Sequence, residues 1–276
     1  MHAVPFVLAS IVAAGMAPAG LRELHERGLV RDNYRGRALP CPAGLVVVAA
    51  AAAALVPLAG LAQLAGAHWL RPELPTVALY AFGVAFLGLA DDALVGGARG
   101  WRGHGAALLR GRLSPGALKA VGSLGLALLA LAGPGRSDAD YLLGAAVLVL
   151  ATNLFNLLDL RPGRSIKALA LLGVGLSLGA WDLAPLWALG LFAGPVLVLG
   201  LYDLRERAML GDTGSNLVGA LAGLWLVLTL STLGLAIALA IMAPITLYGE
   251  FRSISALVER VPLLRHLDSL GRPLHA

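Results

Sequence analysis

The sequence predicts an all-α polytopic membrane protein with about nine transmembrane helices. The 276 residues are 58% hydrophobic and only 13% charged, with a mean hydropathy of +0.81, whereas about 25% of the residues in soluble proteins are charged. Apolar runs of the length needed to cross about 30 Å of hydrocarbon recur along the whole chain. The basic residues gather between alternate runs. We therefore expect a single integral membrane domain over residues 1–276.

The apolar runs define the predicted helices. No tandem repeat, Ser-rich linker or second soluble domain interrupts them. Gly190 with Gly194, and Gly219 with Gly223, are pairs at four-residue spacing that tight helix packing would explain. The predicted spans are residues 3–20, 43–64, 74–95, 116–133, 141–158, 166–181, 183–201, 214–230 and 232–249.

The distribution of Lys and Arg predicts the orientation of the helices, because short cytoplasmic loops carry the excess of positive charge. With the N-terminus outside, 19 of the 21 basic residues fall on the cytoplasmic side, and only Arg71 and Arg136 fall on the other. The C-terminus is then cytoplasmic, as in a multi-pass protein of the cell membrane. The net charge of +5 is spread over separate loops that face anionic lipid, so no nucleic-acid partner is expected.

The C-terminal segment, residues 249–276, is predicted to be a cytoplasmic amphipathic tail with a helix lying in the membrane interface. Its apolar side chains fall roughly on one helical face, and its charged side chains lie elsewhere. This pattern favours a membrane anchor over a substrate clamp. The apolar face comprises Phe251, Ile254, Val258, Val261, Leu264 and Leu267.

Six acidic residues lie at the ends of apolar runs on the predicted cytoplasmic side. Carboxylates so close to hydrocarbon are costly and often mark a functional site, although a single one is as readily a solvated helix end. Their sequence neighbours decide between these two interpretations. The six are Asp91, Asp92, Asp159, Asp203, Asp212 and Glu250.

The stretch MLGDTGSN, residues 209–216, surrounds Asp212 and immediately precedes an apolar run. The small residues Gly211, Gly214 and Ser215 would let backbone N–H groups approach a phosphate at a helix N-terminus. The Asp212 carboxylate could hold a divalent cation beside that phosphate.

The stretch NLFNLLDLRPGR, residues 153–164, ends another apolar run. Asn153, Asn156 and Asp159 fall near one stripe of a helix, where they could line a polar cleft between helices. Two amides and a carboxylate inside a membrane helix are expensive unless they are paired.

Two further segments carry charges suited to an anionic ligand. Asp91 and Asp92 are followed by glycines and then by His104, close to further arginines. The first predicted cytoplasmic loop places Arg35 and Arg37 close to a membrane entry point. The order of these charged and polar motifs along the chain is more informative about function than any one of them.

In this order, the motifs resemble those of the polyprenyl-phosphate N-acetylhexosamine-1-phosphate transferases. This family includes the phospho-N-acetylmuramoyl-pentapeptide transferases and the transferases that make polyprenyl-diphosphate N-acetylglucosamine. Its members have a basic loop ending in Pro-x-x-x-Gly, an Asp-Asp pair, an Asn-x-x-Asn-x-x-Asp segment and a Gly-Asp-x-Gly-Ser motif. The corresponding residues here are Pro40 to Gly44, Asp91 with Asp92, Asn153 with Asn156 and Asp159, and Gly211 to Ser215.

The resemblance implies transfer of a sugar-1-phosphate from a UDP-sugar, expected to be a UDP-N-acetylhexosamine, to a polyprenyl phosphate such as undecaprenyl phosphate. UMP leaves and a polyprenyl-diphosphate sugar forms, as the first membrane step of a cell-envelope glycan pathway such as peptidoglycan synthesis. Because two anions must meet, the site needs a metal and basic residues more than covalent chemistry. The resemblance implies Mg²⁺, with Mn²⁺ as a substitute, and a homodimer.

The resemblance also assigns roles to residues. Asp91, Asp92 and Asp212 form the expected catalytic set, and Asp212 with Asn156 the expected metal ligands. One member of the Asp91–Asp92 pair would act as a base toward the lipid phosphate. Adjacent helical residues point about 100° apart, so we expect these two to have unequal roles. The expected substrate-binding residues are Arg35, Arg37, His104, Asn153, Asn156, Asp159, Arg161, Asp203, Gly211, Gly214, Ser215 and His266.

Departures from the family pattern leave other functions open. The chain reads Leu160-Arg-Pro-Gly163 where the muramoyl-pentapeptide branch has Gly-x-Asp-Gly, so Arg161 or Pro162 replaces an acid expected to contact the base. The histidine motif of that branch is reduced to Arg265-His-Leu-Asp268, and a tenth helix is missing. A catalytically inactive relative acting as a binding or scaffold protein is the first alternative. A transporter or flippase is the second, although it would normally carry charges near the bilayer midplane.

Overall fold

The computed structural model describes residues 1–93 and 115–273. Each of the nine apolar runs coincides with one long helix, which confirms the expected helical fold class. The helices are α1 (Val4–Glu26), α2 (Gly44–Ala65), α3 (Leu74–Ala93), α4 (Pro115–Leu131), α5 (Asp138–Leu158), α6 (Arg164–Ala180), α7 (Ala184–Leu204), α8 (Gly211–Thr229) and α9 (Thr232–Phe251).

Six of the helices in the described part of the chain, α1, α2, α3, α5, α7 and α9, are long and apolar enough to cross a membrane. The chain is therefore a multi-pass membrane protein. Helices α4 and α6 have 17 residues each, or about 25 Å at 1.5 Å per residue, which is less than the full hydrocarbon thickness. Helix α8 is also apolar, but it begins with polar residues. The total of nine spans and their orientation remain predictions.

Helix α8 lies at the centre of the bundle, where it packs against α3, α5, α6 and α7 and is buried over nearly its whole length. A Cβ atom added to Gly219 would lie only 2.6 Å from the Cα of Thr152 on α5. On α7, a Cβ atom added to Gly194 would lie 2.5 Å from the Oγ of Ser10 on α1. These glycines allow the helices to approach closely, which confirms the packing role expected from their spacing.

A short β-hairpin between α1 and α2 was not expected from the sequence. Strands β1 (Val30–Asp32) and β2 (Ala38–Pro40) pair antiparallel. The Asn33 side-chain oxygen closes the turn by accepting hydrogen bonds from the backbone N–H groups of Arg35 and Arg37, at 2.9 and 3.0 Å. Strands of three residues are too short to leave an alternating pattern in the sequence.

The C-terminal tail forms two short helices, α10 (Ile254–Arg260) and α11 (Pro262–Ser269), instead of one continuous amphipathic helix. Pro262 occupies the first turn of α11, where its missing N–H is tolerated and where it ends the preceding helix. Helix α9 also extends to Phe251, so the tail begins later than predicted. Leu263 and Leu264 are exposed on α11, at 68% and 39%.

The polar ends of several helices meet at one end of the bundle. This end holds the C-termini of α3, α5 and α7 and the N-termini of α4 and α8, together with the hairpin and the tail. The sequence assigned it to the cytoplasmic side. It therefore brings together most of the candidate residues that lie within the described ranges.

Candidate functional site

The first cluster of polar side chains surrounds Asp212 in the first turn of α8. The Nδ2 of Asn156, at the end of α5, donates a hydrogen bond to Asp212 Oδ1. The same Nδ2 lies 3.0 Å from Ser215 Oγ and 3.1 Å from Asn216 Oδ1. An amide nitrogen has only two hydrogens, yet three oxygen atoms converge on it. The Asp212 cluster is therefore a group of oxygen atoms gathered around one point.

Lys119 connects this cluster to the Asp91–Asp92 pair. Its Nζ lies 3.6 Å from Asp212 Oδ1 and 3.7 Å from Asp91 Oδ2. The side chains of Lys119, Asp91 and Asp212 are 16%, 29% and 27% exposed, so solvent and ligands can reach all three. One ammonium group thus lies between two accessible carboxylates contributed by α3 and α8.

In the sequence, Lys119 is one of the 19 basic residues predicted on the cytoplasmic side, and no motif marks it as a site residue. A signal was nevertheless present, because the chain has only two lysines, Lys119 and Lys167, beside 19 arginines. An ammonium group is compact and has three rotatable donors, whereas guanidinium is a rigid planar fork. Lys119 therefore presents a compact, rotatable cation to the two carboxylates.

Asp92 has a different role from its neighbour Asp91. Its carboxylate accepts hydrogen bonds from the backbone N–H groups of Asp212 and Thr213, at 3.0 and 2.8 Å, and from Thr213 Oγ1 at 2.7 Å. The Asp92 side chain is only 4% exposed, and Arg31 lies 3.6 Å from it. Asp92 therefore caps the N-terminus of α8 from another helix.

This cap changes the interpretation of the Gly-Asp-Thr-Gly-Ser stretch, whose N–H groups were expected to bind a phosphate. Two of those N–H groups are taken by Asp92. Gly211 has φ +70°, and a Cβ atom there would lie 2.9 Å from an Asp92 carboxylate oxygen. Gly214 packs against Gly44 on α2, with their main chains in direct contact. The small residues serve close packing around the cap.

A second polar region is a small, solvent-open cleft between the hairpin, the α5–α6 turn and the end of α7. Asp203 is 3% exposed and accepts a 2.6 Å hydrogen bond from the backbone N–H of Gly163, whose φ of +70° makes the turn. The cleft is lined by Asn33, Tyr34, Asp159, Leu160, Arg161, Pro162, Asp203 and Met209.

Asp159 shares this cleft with Asp203. Burial raises the pKa of Asp159 well above its usual range, and the nearby Asp203 carboxylate raises it further. The hydrogen bond from Ser165 Oγ, at 2.8 Å, acts in the opposite direction but is outweighed. The floor of the cleft therefore holds a carboxyl group that retains a proton to higher pH than an ordinary aspartate.

The outer wall of the cleft is the ring of Tyr34. The guanidinium carbons of Arg161 and Arg35 lie 4.4 and 5.2 Å from its centroid. Glu206, in the α7–α8 loop, anchors this wall, because it accepts hydrogen bonds from Asn33 Nδ2 at 3.2 Å and Tyr34 Oη at 3.1 Å. Glu206 is 2% exposed and was not identified from the sequence.

The other described candidates have no hydrogen bond or ion pair with Asp212 within residues 1–93 and 115–273. Asn153 lies one turn before the α5 amide that meets Asp212, and it donates a 3.3 Å hydrogen bond to Glu250. Arg37 is exposed at the hairpin turn, and His266 is exposed on α11. His104 lies outside the described residues.

The Asp212 cluster fits the ligand preference of Mg²⁺, which binds oxygen atoms and usually keeps several waters. Within residues 1–93 and 115–273, no group of three or more His, Cys, Asp or Glu side chains is arranged to share a metal ion. The oxygen atoms available as metal ligands belong to Asp212, Ser215 and Asn216. Asn156 would add its own side-chain oxygen after a half-turn of the amide, which exchanges the positions of its oxygen and nitrogen. These residues suit a magnesium ion that is also held by a phosphate ligand.

Comparison with known proteins does not assign this chain to a family. No protein-family model matches the sequence, and no curated protein matches it.

Proposed function

We propose that this protein transfers a sugar-1-phosphate from a UDP-sugar, probed first as a UDP-N-acetylhexosamine, to a polyprenyl phosphate such as undecaprenyl phosphate. The products are UMP and a polyprenyl-diphosphate sugar, and the reaction would begin a cell-envelope glycan pathway at the cytoplasmic face. The protein would be a Mg²⁺-dependent phosphoglycosyl transferase, and by family resemblance a homodimer.

One observation carries this proposal. Asp91, Lys119, Asn156 and Asp212 come from four different helices and meet at one end of an apolar bundle. A lipid-linked phosphate at the membrane surface would reach this end while its hydrocarbon chain stays in the bilayer. Charges and amides gathered there suit phosphoryl transfer between a membrane anion and a soluble one.

The reaction requires one bond to form and one to break. An oxygen of the lipid phosphate attacks the sugar-side phosphorus of the UDP-sugar, and the bond from that phosphorus to the bridging oxygen breaks. The bridging oxygen leaves with UMP and takes the electron pair. Catalysis then depends on positioning and on balancing negative charge, because both reactants are anions.

The residues around Lys119 divide this work. Lys119 would attract and orient a phosphate oxygen, and Asp91 would accept a proton from a monoprotonated lipid phosphate. The carboxylate of Asp92 is already occupied by Asp212 and Thr213. Asp92 would therefore position Lys119 and Asp91 by holding the start of α8. The base toward the lipid phosphate is therefore proposed to be Asp91.

Asp212 and Asn156 would hold the magnesium ion, and manganese could replace it. When bound, the ion would supply positive charge that offsets the repulsion between the two phosphate groups and the charge developing on UMP. The oxygen atoms of Ser215 and Asn216, 3.0 and 3.1 Å from the Asn156 amide nitrogen, would be further ligands once that amide has turned its oxygen toward the ion. No protein nucleophile is required.

The cleft beside Tyr34 is proposed to hold the nucleoside part of the donor. Arg35 and Arg161, whose guanidinium groups lie over the Tyr34 ring, carry positive charge toward a diphosphate. Asp159 and Asp203 form its floor and could accept hydrogen bonds from ribose or base. Arg161 or Pro162 stands where the family has an acid expected to contact the nucleobase. The panel of donors therefore varies the nucleobase as well as the sugar.

The test is direct product formation. Purified protein is incubated with undecaprenyl phosphate, Mg²⁺ and a panel of nucleotide sugars, and both UMP and the lipid product are measured. We expect one donor to give both products, and chelation of the metal to stop the reaction. A folded, lipid-bound protein that forms no product from any donor would contradict the enzyme proposal and favour the scaffold alternative.

A further inference from the structure

We propose that Lys119 is a built-in counter-ion that neutralises Asp91 and Asp212 and is displaced when a divalent cation binds at Asp212. The displaced ammonium would then be free to meet an incoming phosphate. This inference deepens the proposed function. It rests on that function only for the identity of the incoming phosphate. Its test, however, measures cation binding and not turnover.

The first argument is the position of the ammonium group. Lys119 Nζ lies at nearly equal distances from the two carboxylate oxygens, 3.7 Å from Asp91 and 3.6 Å from Asp212. Charge-assisted hydrogen bonds are typically about 2.7–2.9 Å long, so Lys119 neutralises both acids without a tight bond to either. An ammonium held in this way can leave at low cost.

The second argument is competition for one atom. Asp212 Oδ1 is the oxygen that faces Lys119, and it also accepts the hydrogen bond from Asn156. A divalent cation on this oxygen would lie within about 6 Å of the ammonium, where like charges repel. A bound cation therefore disfavours the inward-facing position of the ammonium at Asp212.

The third argument is the choice of lysine. In the described part of the chain, Arg31, Arg35 and Arg161 are other basic residues near the candidate site, and all three have guanidinium groups. A flexible four-carbon stem with a point charge can swing from one partner to another more readily than a planar fork. Lys119 is 16% exposed and lies in the second turn of α4, so its side chain keeps partial access to solvent.

The main test measures Mn²⁺ binding by electron paramagnetic resonance on the purified full chain in detergent, without substrates. We expect Lys119→Met to bind Mn²⁺ about tenfold more tightly than wild type, because a repelling charge is removed. The Mn²⁺ affinity of Lys119→Arg should stay within about threefold of the wild-type affinity. Lys167→Met, which removes the only other lysine, is the matched control and should leave Mn²⁺ affinity unchanged.

Equal or weaker Mn²⁺ binding by Lys119→Met would overturn the proposal. Undetectable Mn²⁺ binding in wild type and in all three lysine variants would overturn it as well. Asp212→Asn should abolish the site in both the wild-type and the Lys119→Met backgrounds, which locates the bound ion.

A second measurement covers the case in which Lys119→Met does not fold. In Lys167→Arg, Lys119 is the only lysine, so its reaction with an amine reagent can be followed on its own peptide. We expect Mn²⁺ to accelerate labelling of Lys119 as the ammonium leaves the two carboxylates. Slower or unchanged labelling would contradict displacement. These outcomes differ from a failed product assay, which would remove the enzyme proposal and leave the cation exchange intact.

Discussion

Arg164 and Asp268 form a two-pronged salt bridge across 104 residues of sequence, with Nε and Nη2 of the arginine 2.8 and 3.0 Å from the two carboxylate oxygens. Arg272 binds the same carboxylate from within the tail. Lys167 Nζ donates to main-chain carbonyls at the end of α11. These contacts, which we call the tail clasp, fix α11 to the start of α6.

Removal of the Asp268 charge should release the tail. In Asp268→Asn the two arginines lose their bidentate partner, so limited trypsin digestion should cleave within residues 260–272 faster than in wild type. Glu259→Gln is the matched control, because the Arg161–Glu259 pair is more exposed and should contribute little. Identical digestion of Asp268→Asn and wild type would show that the clasp does not hold the tail.

The clasp should also resist acid. Partial burial alone would raise the pKa of Asp268, but the hydrogen bonds from Arg164 and Arg272 outweigh it and lower the pKa to about 2. A depressed carboxylate pKa contributes stability above the ordinary value, near 4, and loses it as pH falls through about 2. Amide exchange of α11, corrected for intrinsic rates, should stay protected at pH 4 and lose protection near pH 2. Loss of protection already at pH 5 would argue against this pairing.

Replacement of Asp92 should destabilise the fold, whereas replacement of Asp91 should not. Asp92→Ala leaves the N–H groups of Asp212 and Thr213 without their acceptor, at a cost of about 2 kcal/mol. Thermal unfolding in detergent should show a lower midpoint for Asp92→Ala than for Asp91→Ala. Equal midpoints for the two variants would remove the capping role.

Glu206 should hold the hairpin in place. Glu206→Ala leaves the Asn33 and Tyr34 donors without their shared acceptor, so amide exchange over residues 30–40 should accelerate while the helices stay protected. Glu26→Ala, on the exposed surface at the end of α1, provides the control. Unchanged hairpin exchange in Glu206→Ala would contradict the anchor.

Gly44 should be intolerant of any side chain. A Cβ atom there would lie 2.2 Å from the backbone nitrogen of Gly214, so Gly44→Ala must push α2 away from α8. We expect a loss of roughly 1–3 kcal/mol in the free energy of unfolding. Gly60→Ala on the same helix has open space around it and should be neutral or slightly stabilising. Similar unfolding of the two variants would show that the α2–α8 contact is looser than described.

Asp212→Asn should abolish turnover of the proposed reaction without unfolding the protein. Loss of the carboxylate charge removes the proposed cation ligand, so we expect product formation to fall by at least about 100-fold. Asp138→Asn, at the opposite end of the bundle, should react at the wild-type rate. A nearly wild-type rate in Asp212→Asn would remove this aspartate from the proposed chemistry.

The helices could be predicted from the sequence because long apolar runs and loop charges are strong signals. The residues that contact each site residue could not be predicted in this way. Asp91 and Asp92 are adjacent, and only their places in the bundle show that one meets Lys119 and the other meets Thr213. Glu206 was missed because it lies in a short charged loop, where its burial depends on contacts with the distant hairpin.

The tail shows the same limit. Its apolar periodicity predicted one continuous helix, yet Pro262 divides it and Asp268 ties the second piece to Arg164. Hydrophobic periodicity reports which side of a helix is apolar, but it carries no information about a specific ion pair formed across 104 residues.

The cap that Asp92 provides for α8 also constrains how the protein is assembled in the membrane. Asp92 is synthesised 120 residues before Asp212, so α3 is already available when α8 emerges. Until the two helices meet, the first N–H groups of α8 lack this acceptor and depend on water. We therefore expect α8 to be held firmly only after it docks beside α3, which makes completion of the candidate site a late step in biogenesis.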